Sequence, residues 1–208
     1  VSYGSLDAYG FHALEMVQCL AERRQGGETG IKSVYCLEGD AVWEAGERGV
    51  YDPQMLRACL SRQKARPIRP DQDIRELVPP PVLFVVDYRD GLRSSILTLN
   101  PALQGWSVAW REEGSDEIQS TLFWTQEARP FAHFNLLLEG AEKMFHTGVP
   151  TWPAERTLVT SGVLDALLVS KQRGGESVET PYLNIQYTTD WEWSRPRDPP
   201  PGRPIMSQ

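Results

Sequence analysis

The chain has 208 residues, of which 40% are hydrophobic and 24% are charged, a composition typical of a soluble globular domain. Its net charge of −7, from 28 acidic and 21 basic residues, argues against a nucleic-acid partner, because no basic stripe could neutralise phosphates. No apolar run approaches the roughly 20 residues that span a bilayer. Three scattered cysteines without CxxC spacing support neither a metal site nor a disulfide framework. We therefore expect a cytoplasmic protein with no metal and no membrane partner.

The first part of the chain predicts two helices with a strand between them. Apolar residues at helical spacing predict an amphipathic helix over residues 11–24, which a pair of glycines ends. The β-branched and aromatic run at 31–37 predicts a strand. Pro53 suits the first turn of a helix, which we expect over residues 53–63. The proline-rich, charged segment 67–81 is typical of a connection.

Strand patterns dominate the middle of the chain. Asp90-Gly91 is a strong signal for a hairpin turn between two of them. We expect strands over residues 82–88, 92–99, 106–112 and 118–126. Four consecutive strands with short turns predict an antiparallel meander.

Two helices and a short strand are expected to close the fold. The apolar spacing predicts one helix from Phe134 that stops at Gly148, and a second that follows Pro153 and ends at Gly174-Gly175. A final strand over residues 182–187 is expected after it.

The element order predicts one α+β domain over residues 1–190, with an open, mainly antiparallel sheet and helices packed on one face. Residues 191–208 are proline-rich, and we expect them to be a disordered tail because they cannot bury enough apolar surface.

His12 is the first candidate catalytic residue. We expect it at the start of the first helix, two residues after Gly10, with its ring projecting toward a cleft. Asp7 precedes it by five residues, close enough for a carboxylate to orient an imidazole. A partly buried histidine that caps the helix would explain the position without any chemistry.

The segment GSLDAYGFHALE around His12 resembles the catalytic segment of the glucose–fructose oxidoreductase/inositol dehydrogenase (Gfo/Idh/MocA) family. That family's pattern is a glycine-rich lead, L-x-D-x-G-x-H, and then an acidic residue in the helix. The resemblance places His12 at the family's histidine and Gly10 at its glycine. The segment KMFHTGVPTWPAERTLVTSGVLDALLVSKQRGGESVE resembles the family's closing stretch, so the likeness covers most of residues 1–190.

The resemblance implies the C-terminal, substrate-side domain of an NAD(P)-dependent oxidoreductase that acts on a sugar or polyol hydroxyl. His12 would act as acid/base on the substrate hydroxyl. NAD or NADP would be bound mainly by a Rossmann domain preceding Val1, so we do not expect the chain alone to turn over. One departure concerns the family's aspartate, four residues before the histidine. Ala8 stands there, with Asp7 displaced by one position and Tyr9 as another source of a polar group.

Further candidates lie near the penultimate helix and on the sheet. His133 and Asn135, at the start of that helix, are candidates for substrate hydrogen bonds, although an exposed or capping histidine explains the first equally well. Tyr9 is a candidate for substrate binding. We expect the sheet tryptophans to serve the core and a homo-oligomer interface on the sheet face. These are Trp106, Trp110 and Trp124.

Two other functions remain open. Ala8 at the aspartate position suggests a catalytically inactive homologue that serves as a binding or oligomerisation module through its sheet face. The pattern is also compatible with a stand-alone α+β ligand-binding protein of unrelated descent.

Overall fold

A computed structural model of the chain describes residues 1–63, 68–69, 72–78, 80–125 and 133–190. It confirms an α+β fold with a mainly antiparallel sheet. The helices in these ranges are α1 (Leu6–Ala21), α2 (Asp40–Glu47), α3 (Pro53–Ser61), α4 (Ile74–Leu77), α5 (His133–Thr147) and α6 (Ala154–Gln172). The strands are β1 (Ile31–Glu38), β2 (Val82–Tyr88), β3 (Arg93–Thr98), β4 (Ser107–Trp110), β5 (Gln119–Leu122) and β6 (Val178–Glu179).

The predicted four-stranded meander is wrong in its topology. β2 and β3 form the expected hairpin, but the larger sheet has the order β3-β2-β1-β6, with β1 paired antiparallel to β2. β4 and β5 form a separate two-stranded sheet. Short turns predicted the neighbour correctly within each hairpin, but they carry no information on how one hairpin lies relative to the next.

The two long helices pack on one face of the larger sheet, as expected. α1 and α6 enclose a core with inward side chains of β1 and β2, among them Val34, Phe84 and Val86. The opposite side chains of β2, Leu83 and Val85, are covered by α2 and neighbouring loops. β2 is therefore buried on both sides, which explains why its sequence is a continuous apolar run.

The start of α1 corrects the prediction for the first helix. The helix begins at Leu6 rather than residue 11, so His12 lies in its second turn and not at its N-terminus. Gly10 is an interior position of the helix, where a Cβ would lie 2.7 Å from Cδ1 of Leu6 and 3.0 Å from Cδ1 of Leu164. The glycine permits close packing of α1 against α6, and the sequence pattern alone made it resemble a break before the helix.

Other elements differ locally from the predictions. α2 was not predicted, because a single turn of apolar residues carries little periodic signal. α4 lies inside the segment predicted to be a connection. The expected final strand is instead β6 followed by a 3₁₀ helix at Pro181–Leu183, because proline cannot donate to a strand ladder. The tail 191–208 lies outside the described residues.

Candidate functional site

The residues before α1 hold its N-terminus in place. The backbone N–H of Gly4 donates to Oδ1 of Asn100 at 2.9 Å, and Nδ2 of Asn100 donates to the carbonyl of Gly4 at 3.0 Å. Gly4 has a φ of +86°, and a Cβ there would lie 2.5 Å from Cγ of Tyr9. Only glycine therefore lets the Tyr9 ring fold back over this turn.

His12 is exposed and belongs to a cluster of aromatic rings. The centroid of its imidazole lies 5.9 Å from that of Tyr9 and 6.3 Å from that of Trp106. Tyr3 completes the cluster at 4.9 Å from Trp106 and 5.5 Å from Tyr9. The cluster places the exposed imidazole beside the exposed ring of Tyr9, whereas Trp106 is 3% exposed.

Asp7 does not pair with His12 in the described part of the structure. Residues five apart on an α-helix are separated by about 140° around its axis, so the two side chains point in different directions. The pKa of Lys171 is raised, first by a hydrogen bond to Glu38 at 3.0 Å and to a lesser degree by the charge of Asp7.

His133 and Asn135 lie in the first turn of α5. The His133 ring lies 4.2 Å from that of Phe134, and Asn135 is exposed. Between the described residues of α1 and Asn135 there is no hydrogen bond. α5 contacts the fold through Gly140, whose carbonyl accepts a hydrogen bond from Oγ1 of Thr151 at 2.5 Å. The ring contact of His133 thus lies within α5, and no hydrogen bond joins Asn135 to His12 among the described residues.

A cleft opens beside the aromatic cluster. It has a volume of about 700 Å³ and lies between β3, β4, α1 and α3. Trp106 forms part of its wall and is 3% exposed. Its Nε1–H has no hydrogen-bond partner among the described residues. A buried donor without a partner costs about 1–3 kcal/mol.

A buried polar network was also missed at the sequence level. Arg156 of α6 donates from Nε to Oε2 of Glu22 at 3.0 Å. The Tyr187 hydroxyl donates to the same oxygen at 2.8 Å, and Gln18 donates from Nε2 to Glu28 at 2.6 Å. Burial raises the pKa of Glu22 and of Tyr187. Every one of these side chains has partners within the network, so we assign the network to stability.

The described residues contain no strand–glycine–helix turn that suits a pyrophosphate. The one strand–glycine–helix sequence among them is β1, Gly39 and α2. Glu38 and Asp40 flank that glycine, and their carboxylates would repel a pyrophosphate at the helix N-terminus. No chemical step at this chain is therefore assigned to a bound NAD or NADP.

The described residues contain no group of three or more histidine, cysteine, aspartate or glutamate side chains that could hold a metal ion. Within the same ranges, no helix combines the length and the apolar character needed to cross a membrane.

Comparison with known proteins identifies no relative: no family model matches the chain, and no curated protein or solved structure matches it either.

Proposed function

We propose that this chain is the substrate-side domain of an NAD(P)-dependent oxidoreductase that acts on a sugar or polyol hydroxyl, with His12 as acid/base. The observation that supports the proposal is the exposed His12 imidazole beside the rings of Tyr9 and Trp106. Imidazole exchanges a proton near neutral pH, which suits removal of a hydroxyl proton. The resemblance of GSLDAYGFHALE to a catalytic segment supports the same assignment.

The cofactor and the second polar group follow from the same proposal. NAD or NADP is bound by a separate Rossmann domain, because Glu38 and Asp40 disfavour a pyrophosphate at α2. Tyr9, whose ring centroid lies 5.9 Å from that of the imidazole, supplies the second polar group in place of Asp7. His133 and Asn135 have a role only if α5 approaches the substrate bound at His12.

The proposal is tested by titrating the chain with glucose and with myo-inositol while following the imidazole C–H signals in NMR spectra. The chain has three histidines, so single His→Ala variants assign every signal. We expect a saturable shift of the His12 signal and its loss in Tyr9→Ala. His146, which is exposed and lies 3.8 Å from Glu142 on α5, is the internal control. Equal shifts at His12 and His146, or none at His12, would refute the proposal.

The second function, an oligomerisation module without catalysis, is favoured by one observation. β4 and β5 are partly exposed, and Trp124 next to them is 39% exposed, whereas β2 is buried on both sides. A homo-oligomer through the sheet face would therefore use the β4–β5 pair. Sedimentation of the wild type and of Trp124→Glu tests this function. A dimer that Trp124→Glu dissociates, together with no response of His12 to either ligand, would favour it over the first.

A further inference from the structure

The cleft beside Trp106 separates two strand edges that face one another. β3 is the outer strand of the larger sheet, and β4 pairs with β5 alone in the smaller one. Only the first residues of the described chain bridge them. Ser2 donates to the carbonyl of Leu97 at 2.8 Å and accepts from the N–H of Leu99 at 3.1 Å, a parallel bridge to β3.

Val1 makes the corresponding contact with β4. Its nitrogen donates to the carbonyl of Ser107 at 2.6 Å, and the N–H of Ser107 donates to the carbonyl of Val1 at 3.2 Å. Such a reciprocal pair is the repeating unit of an antiparallel ladder. The backbone at Val1 and Ser2 is therefore already one rung of a strand that is parallel to β3 and antiparallel to β4.

Beyond the contacts of Val1 and Ser2, the facing edges of β3 and β4 continue with no described strand between them. Because strand residues alternate in direction, the N–H and C=O groups of Ser95 on β3 and Ala109 on β4 point in the same sense as those of Leu97 and Ser107. No backbone hydrogen bond in the described ranges uses the N–H of Ser95 or Ala109 outside the strand pairs. Exposed edges of this kind are templates for a further strand.

The walls of the cleft fit a strand that is buried on both faces. Ala13, Val17 and Leu20 of α1 line one side, and Met55 and Leu56 of α3 line the other. A strand between them would direct alternate side chains toward α1 and toward α3, so both sets need to be apolar.

We propose that the cleft is a strand site, taken by extended polypeptide that continues on the amino-terminal side of Val1. At about 3.3 Å per residue, about four residues reach from Val1 past Ser95 and Ala109. This strand joins the two sheets into one, with the order β5-β4-new strand-β3-β2-β1-β6. The added backbone satisfies both edges at once, and its apolar side chains fill the space between α1 and α3.

The test compares two variants of the chain that carry four extra residues before Val1. One extension is Val-Thr-Val-Val, and the matched control is Gly-Pro-Ser-Pro, in which the prolines cannot donate to a ladder. Amide hydrogen exchange is measured at Ser95 and Ala109, with Val85 of the buried strand β2 as the control for folding. We expect the first extension to slow exchange at both edge amides by about tenfold or more, and the second to leave it unchanged.

Two results would overturn the proposal. In the first, both extensions leave the Ser95 and Ala109 amides exchanging at the rate of the original chain while Val85 stays protected. In the second, free acetylated Val-Thr-Val-Val amide at about 1 mM, near the effective concentration of a short linker, protects both amides as fully as the covalent extension. That result would assign the site to a separate peptide partner. Neither result bears on His12, so this proposal and the proposed function fail independently.

Discussion

α5 and α6 are consecutive helices with similar apolar spacing and opposite environments. α6 buries Val159, Val163 and Leu167 against α1 and β1. In α5, Gly140 is the one residue that is buried among those described. Phe145 of α5 is 81% exposed, whereas Leu167 of α6 is 0% exposed.

The difference shows what an amphipathic pattern does and does not specify. Spacing of apolar residues predicts a helix and the face that seeks a partner. It does not say whether that partner lies within the same chain. In α6 the partner is α1, and polar residues of both helices form the buried network as well. α5 lies beside Trp152 and leaves Phe134, Leu138 and Phe145 at the surface.

Among substitutions in α5 and α6, we expect the largest loss of stability from Arg156→Met. The substitution leaves the Glu22 carboxylate, which is 1% exposed, without its cation. Breaking one side of a buried ion pair costs about 3–5 kcal/mol, and we expect that loss in the free energy of unfolding measured with urea. Lys171→Met on the same helix is the control, since its ion pair with Glu38 is partly exposed and contributes about 0–1 kcal/mol. Equal losses in the two variants would show that the buried network does not stabilise α6.

The second prediction compares truncations on the two helices. Leu167→Ala removes a fully buried side chain, and we expect a loss of about 2–5 kcal/mol in the free energy of unfolding. Phe145→Ala on α5 should change it by no more than about 0.5 kcal/mol, because the ring is mostly in water. Urea unfolding of both variants measures the difference. A loss above about 2 kcal/mol for Phe145→Ala would mean that α5 is covered in solution.

The smallest expected effect concerns pH. We expect the loss in the free energy of unfolding that Arg156→Met causes to depend on the pH. Burial raises the pKa of Glu22 in the folded chain above its ordinary value of 4.5. A carboxyl group whose pKa is higher in the folded chain than in the unfolded chain stabilises the fold fully only below its unfolded pKa. That stabilisation is lost as the pH rises through the folded pKa. Loss of the Arg156 cation, whose Nε lies 3.0 Å from this carboxylate, should raise the pKa of Glu22 further. We therefore expect the loss in the free energy of unfolding to be largest near neutral pH and to shrink toward pH 4.5.

Urea unfolding of the wild type and Arg156→Met at several pH values between these limits measures that trend. Arg156→Met combined with Glu22→Gln provides the control, since it removes the Glu22 carboxyl and leaves Glu15, the other carboxylate that Arg156 contacts. A deficit that is the same at every pH would contradict the assignment of the effect to Glu22.

The sequence predicted most elements because their signals are local. Pro53 and the glycines after α6 marked helix ends correctly, and Asp90-Gly91 marked the β2–β3 hairpin. The α+β class followed from the order of these elements. Periodicity and turn chemistry act over a few residues, so they are visible without knowledge of the fold.

The start of α1 was mispredicted for a reason that only packing reveals. Gly10 is typical of a helix boundary in sequence, but in the fold it lies where Leu164 of α6 approaches the α1 backbone. The prediction that paired Asp7 with His12 depended on that boundary. Once α1 begins at Leu6, the two side chains diverge around the helix, and Tyr9 becomes the neighbour of the imidazole.

By itself, therefore, the sequence determined most of the helices, the hairpins and the presence of a histidine in a distinctive segment. The tertiary structure decided which residues surround that histidine, because Trp106 is 94 positions away along the chain and yet lies 6.3 Å from it. It also decided where the sheet is interrupted, because the edges of β3 and β4 are brought face to face by packing on α1 and α3. Contacts between residues distant in sequence are set by the burial of whole faces, and no local pattern encodes them.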